Sequence, residues 1–120
     1  MAVYQDAHRN ACANAIVALG NRIGLYMDTT RVGTVYADTT WGGAAKVTEG
    51  GVDKAVSTGS TVTITVPGGT VSNGAVINRY GIFNGSTLLR TEALPVSLTV
   101  NDGSQEFKVD VTPQFKYRGE

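Results

Sequence analysis

Hydrophobic and polar positions alternate with a period of two over most of this chain. Thr61-Val62-Thr63-Ile64-Thr65-Val66 alternates hydroxyl and aliphatic side chains without a break, and polar and apolar residues alternate likewise over Val96–Val100, Phe107–Val111 and Phe115–Arg118. Alternation of this length places one set of side chains on a core and the other in water, and the abundance of β-branched residues suits half-buried strands. Further strands are expected at Ile23–Met27, Val35–Trp41, Val52–Ser57, Ala75–Phe83 and Thr87–Leu94, with a bend or bulge at Gly81. The opening differs. Asp6–Leu19 is alanine-rich and free of glycine, proline and threonine, and Ala11, Ala15 and Leu19 recur at helical spacing beside Cys12 and Ile16. One helix over about residues 5–20 follows, with His8, Arg9, Asn10 and Asn14 mostly on the wetter side and Gly20-Asn21 as its stop.

Residues that accept positive φ punctuate the strands. Asn84-Gly85 predicts a tight hairpin between Ala75–Phe83 and Thr87–Leu94, and Asn101-Asp102-Gly103 predicts a second one joining Val96–Val100 to Gln105–Val111. Trp41 to Gly51 is the least regular stretch and reads as an exposed loop or a long, twisted hairpin tip. The expected fold is mainly β: an antiparallel β-sandwich or short barrel with one N-terminal α-helix, in a single domain over residues 1–120.

Composition narrows the function more than it defines it. Ten basic residues balance ten acidic ones, which disfavours nucleic-acid or membrane-surface binding through a basic patch. No apolar run reaches the roughly 18–20 residues of a membrane-spanning helix. The segment Met1–Asn10 lacks a signal peptide's apolar core, so export by that route is not expected. A single cysteine, Cys12, and a single histidine, His8, cannot complete a zinc set or a disulfide. A hydrolytic triad would need His8 as base, and no Gly-x-Ser-x-Gly elbow accompanies it. Pro67-Gly68-Gly69-Thr70 lacks the lysine of a phosphate-binding loop. Neither catalytic residue nor cofactor is expected. The aromatics Tyr4, Tyr26, Tyr36, Trp41, Tyr80 and Tyr117 read as core or subunit contacts, with Tyr36, Trp41, Tyr80 and Tyr117 the candidates for an interface or ligand contact. Threonine rather than charge coats the outward strand positions, a surface suited to packing against identical neighbours or a larger assembly.

The order of segments resembles a known group. Ala11-Cys12-Ala13-Asn14-Ala15-Ile16-Val17 precedes the Ile23–Met27 strand, followed by Val35-Tyr36-Ala37, Thr40-Trp41-Gly42 and Val62–Val71. Ala75–Phe83 and Gly85-Ser86-Thr87-Leu88-Leu89 complete the series. This arrangement resembles small structural proteins of tailed phages infecting actinobacteria, described as head-decoration, minor tail or tail-fibre-like proteins. The family's histidine and glycine-aspartate-proline turn after the first strand are replaced here by Tyr26-Met27-Asp28-Thr29-Thr30. The resemblance implies a non-enzymatic virion component, assembled in the host cytoplasm and carried on the particle surface. Its implied partners are its own copies, as a homotrimer or other multimer, and major capsid or tail subunits, with head decoration favoured over a tail position. A carbohydrate-binding module using Trp41 and nearby tyrosines is the rival reading.

Overall fold

The computed structural model describes residues 4–118. Helix α1 (Asp6–Val17) leads into nine strands: β1 (Arg22–Met27), β2 (Thr30–Asp38), β3 (Ala45–Glu49), β4 (Val52–Thr58), β5 (Val62–Val66), β6 (Val76–Asn84), β7 (Thr87–Thr99), β8 (Phe107–Val111) and β9 (Gln114–Tyr117). Strands hold 57% of the described residues and helix 10%, so the mainly β class expected from the alternation is correct. The arrangement is sandwich-like and no barrel closes.

A four-stranded sheet in the order β2-β1-β6-β7 faces the two-stranded ribbon β5-β8. Between them lies the core: Ile23, Leu25, Val32, Ile77, Tyr80 and Ile82 from the larger sheet against Val62, Ile64, Val66, Val109 and Val111 from the ribbon. The unbroken Thr-Val alternation of β5 gives the burial pattern directly, with Val62, Ile64 and Val66 buried and Thr63 and Thr65 exposed. A second sheet, β3-β4-β9, carries α1 against β4 and β9.

One long ribbon joins the two parts. β4 runs on into β5 and β8 into β9, so that β4 pairs with β9 and β5 with β8. Between Thr58↔Gln114 and Val62↔Val111, three residues on one strand face two on the other, a bulge that bends the ribbon. The Gly59 N–H donates to the Pro113 carbonyl at 2.8 Å and the Thr61 and Thr112 hydroxyls meet at 2.6 Å, which ties the bend together. The ribbon stretches the molecule to 51 × 29 × 22 Å. Its radius of gyration of 15.9 Å exceeds the about 14 Å of a compact chain of this length.

Several expectations need correction. Asn101-Asp102-Gly103 does not close a hairpin, because β8 pairs with β5 and β7 with β6. The Gly103 N–H instead donates to Asn73 Oδ1 at 2.7 Å, and its carbonyl accepts from Gly69 N–H at 2.7 Å, so the segment bridges to a neighbouring loop. The helix is rotated from its expected setting: Arg9, Ala13 and Val17 are buried, while Ala11, Ala15 and Leu19 are exposed. Arg9 can be buried because its guanidinium reaches the Tyr4 carbonyl at 2.5 Å and Asp6 Oδ1 at 2.6 Å. Of the two readings of Trp41–Gly51, exposed loop or long hairpin tip, the hairpin is the one found: the stretch contains β3, whose hairpin with β4 turns on Gly50 and Gly51 at φ 56° and 78°. Two successive positive φ values are what a tight type I′ turn demands, and glycine supplies them without steric cost. Finally, β6 does not bulge at Gly81. Its irregularities fall between Ile77 and Arg79 and between Ile82 and Phe83.

The Asn84-Gly85 hairpin forms as expected, with Asn84 paired to Thr87 around Gly85 and Ser86. Thr87–Leu94 and Val96–Val100, expected as separate strands, belong to one edge strand with a break in register. Asn78 on β6 faces the four residues Leu94–Ser97, which include Pro95, a residue with no N–H to give a ladder.

Candidate functional site

The four aromatic candidates do not converge on one platform. Tyr36 is exposed on the edge strand β2, its ring covered by the Arg22 guanidinium at 3.8 Å. Tyr117 ends β9 beside α1, where a hydrogen bond with Cys12 leads the causes that push its hydroxyl pKa up. Trp41 and Tyr80 lie near the junction of the two parts of the molecule and share a neighbourhood through Arg90.

That neighbourhood is built by the segment between β2 and β3, which crosses the ribbon at its bend. Trp41 forms an isolated bridge with Gly59, and Gly42 N–H donates to the Thr58 carbonyl at 2.9 Å. The half-buried Trp41 indole spends its N–H on the Gly20 carbonyl at 2.9 Å. Gly20 sits there because a Cβ would come within 2.3 Å of the Phe83 carbonyl oxygen. Thr39, fully buried, donates to the Ser60 carbonyl at 2.7 Å and completes the crossing.

Arg90 of β7 lies over the Phe115 ring at 4.5 Å and 6.0 Å from the centre of the Trp41 ring. Its Nε is 3.8 Å from Glu92 Oε2, an ion pair too long for a hydrogen bond. Both Nε and Nη2 are sheltered and without a hydrogen-bond partner. The Tyr80 hydroxyl accepts from Gln114 N–H at 3.1 Å and lies 3.2 Å from Glu92 Oε2. Burial, together with the Glu92 carboxylate, raises the Tyr80 pKa to about 12.

Beyond this cluster β7 forms an outer edge of the four-stranded sheet over thirteen residues. Leu88, Leu89, Val96 and Leu98 are exposed along it, Val96 to 79%, and Arg90 and Glu92 are its only charged side chains. Grooves of about 380 and 220 Å³ follow the C-terminal half, between Leu94–Asp102 and Gln105–Asp110. Natural edge strands are usually blunted by charge, brevity or a cover. This one carries a proline and a bulge, yet remains long and mostly apolar.

His8 is exposed and packs on Tyr4 with ring centres 4.6 Å apart and planes inclined by 34°, and Cys12 is half-buried. Among the described residues, no three His, Cys, Asp or Glu side chains gather as metal ligands. No helix among them is long and apolar enough to cross a membrane. Reading the sequence by period missed β7 as the candidate surface, since alternation looks the same on an edge strand and a central one. The signal present was Leu88-Leu89, two successive leucines that break the alternation beside the turn. Compared with family models, curated proteins and solved structures, the chain matches none.

Proposed function

We propose that this protein is a non-enzymatic structural component of a phage particle, seated on the outside of the head as a decoration protein. The single observation that carries this reading is the β7 edge: a thirteen-residue outer strand with exposed Leu88, Leu89, Val96 and Leu98. An edge of this kind suits a protein that works by adhering to other subunits. The neutral, threonine-rich surface and the resemblance of the segment order to actinobacterial phage proteins support the same role. Many modest contacts repeated over a symmetric shell add up through multivalency. A place on the tail is the second position for the same role.

The test is sedimentation of the purified chain with empty capsids and, separately, with isolated tails. Co-pelleting with capsids is expected, and co-pelleting with tails alone would move the protein to the tail. A chain left in the supernatant by both overturns the proposal. The carbohydrate-binding rival asks Trp41 to offer a free stacking face, whereas its indole is tied to Gly20 and half-buried. Saccharide titration followed by tryptophan fluorescence is expected to show no saturable shift.

A further inference from the structure

The segment Leu88-Leu89-Arg90-Thr91-Glu92-Ala93-Leu94 reads as a chemical palindrome about Thr91. Arg90 mirrors Glu92, Leu89 mirrors Ala93 and Leu88 mirrors Leu94. An antiparallel strand pair about a two-fold axis brings each residue opposite its mirror position in the other copy. The palindrome lies on the free edge of the sheet. Its charged centre falls in the regular stretch Arg90–Ala93, between the Leu89 bulge and the irregularity before Leu98.

We propose that two copies of this chain pair antiparallel through their β7 edges, with Thr91 on the two-fold axis, joining two four-stranded sheets into one of eight strands. This rests on the proposed role only in taking the protein's own copies as partners. Charge complementarity selects a second copy as the occupant. In this register Arg90 lies directly across from Glu92 of the partner subunit on one face of the sheet, and Glu92 across from the partner's Arg90. Directly opposed charges of unlike sign stabilise a strand pair, and like charges destabilise it. Within one copy the Arg90 Nε lies 3.8 Å from Glu92 Oε2, too far for a hydrogen bond, so the pairing breaks no strong ion pair. Pro95 ends the ladder beyond Leu94, because it has no N–H to give. A closed two-fold pair gives dimers or assemblies of dimers, which selects the other multimers over the homotrimer among the states the phage resemblance implies.

Analytical ultracentrifugation of the full chain and of the single variants Arg90→Glu and Glu92→Arg provides the test. The wild-type chain is expected to sediment as a dimer or a multiple of one, and each variant alone as a monomer. An equimolar mixture of the two variants is expected to recover dimers, because one chain then carries two acidic and the other two basic residues at the axis. Circular dichroism of each variant reports whether it is folded. If either fails to fold, cross-linking decides: in a Cys12→Ala background, Thr91→Cys is expected to form a disulfide dimer under mild oxidation, and Ser97→Cys is not. A wild-type monomer, a trimer, a mixture that stays monomeric when both variants are folded, or equal cross-linking at Thr91→Cys and Ser97→Cys each overturns the pairing. A chain that fails these tests but still pellets with capsids would refute the pairing and leave the structural role intact.

Discussion

The side-chain amide of Asn78 grips Asp28 from both ends: its Oδ1 accepts from the Asp28 backbone N–H at 2.9 Å, and its Nδ2 donates to the Asp28 carboxylate at 2.7 Å. Asp28 is the only non-glycine residue at positive φ among the described residues, at 55°, in the turn between β1 and β2. A single side chain on β6 thus holds a turn fifty positions away in a backbone conformation that L-residues adopt at a cost. Asn78→Ala is expected to destabilise the fold by about 1–2 kcal/mol in chemical denaturation. Asp28→Asn is expected to be nearly neutral, since asparagine tolerates this conformation and retains an acceptor oxygen.

Trp41 staples the crossing segment to the end of the helix region. Trp41→Phe removes the bond to Gly20 and keeps most of the apolar surface, for an expected loss of about 1 kcal/mol. Trp41→Ala also removes the ring beside Arg90, and a loss of about 3 kcal/mol is expected. Urea titration followed by circular dichroism separates the two, and a larger loss for the phenylalanine variant would contradict the assignment.

Tyr80 makes the fold sensitive to alkali. Its folded pKa, raised to about 12 mainly by burial, exceeds the unfolded value near 10, so the folded state holds the proton more tightly. Its contribution is fully present below pH 10 and is lost as the pH climbs toward 12. The expected loss is about 1–2 kcal/mol over that window after allowance for solvent screening. Tyr80→Phe is expected to flatten this part of the stability-pH curve relative to wild type.

Acid acts on the β3-β4-β9 sheet. Glu49 is held below its ordinary value chiefly by its 2.9 Å hydrogen bond from Lys116, and Asp53 by its hydrogen bond from Thr48. Both folded values lie below the unfolded ones, so their contribution is present above about pH 4.5 and disappears as the pH falls through the folded values. Carboxylate titration by NMR is expected to show the Glu49 midpoint moving up in Lys116→Gln, with Asp53 little changed.

Much of the fold was legible because burial of one strand face leaves a direct mark on the sequence. Val62, Ile64 and Val66 announce their core face, and Asn84-Gly85 announces its turn. Three features were less accessible. The partner of β8 was misjudged because Asn101-Asp102-Gly103 has turn chemistry, and only the contacts to Asn73 and Gly69 show that this chemistry serves a bridge. Arg9 was placed in water because a buried guanidinium needs acceptors, here Tyr4 and Asp6, whose reach depends on the helix being packed. Of the candidate residues, Trp41 and Tyr80 could be named as aromatics with one polar atom to satisfy. That Arg90 lies near both, on an edge strand, follows from tertiary pairing and leaves no local pattern.

The bent ribbon has a mechanical consequence. Because β4-β5 and β8-β9 pass from one packing layer to the other with their pairing tied across Gly59 and Pro113, neither layer can be pulled away without shearing the strands that build both. A load applied at the helical end is therefore carried along the spine into the opposite sheet through the paired strands themselves.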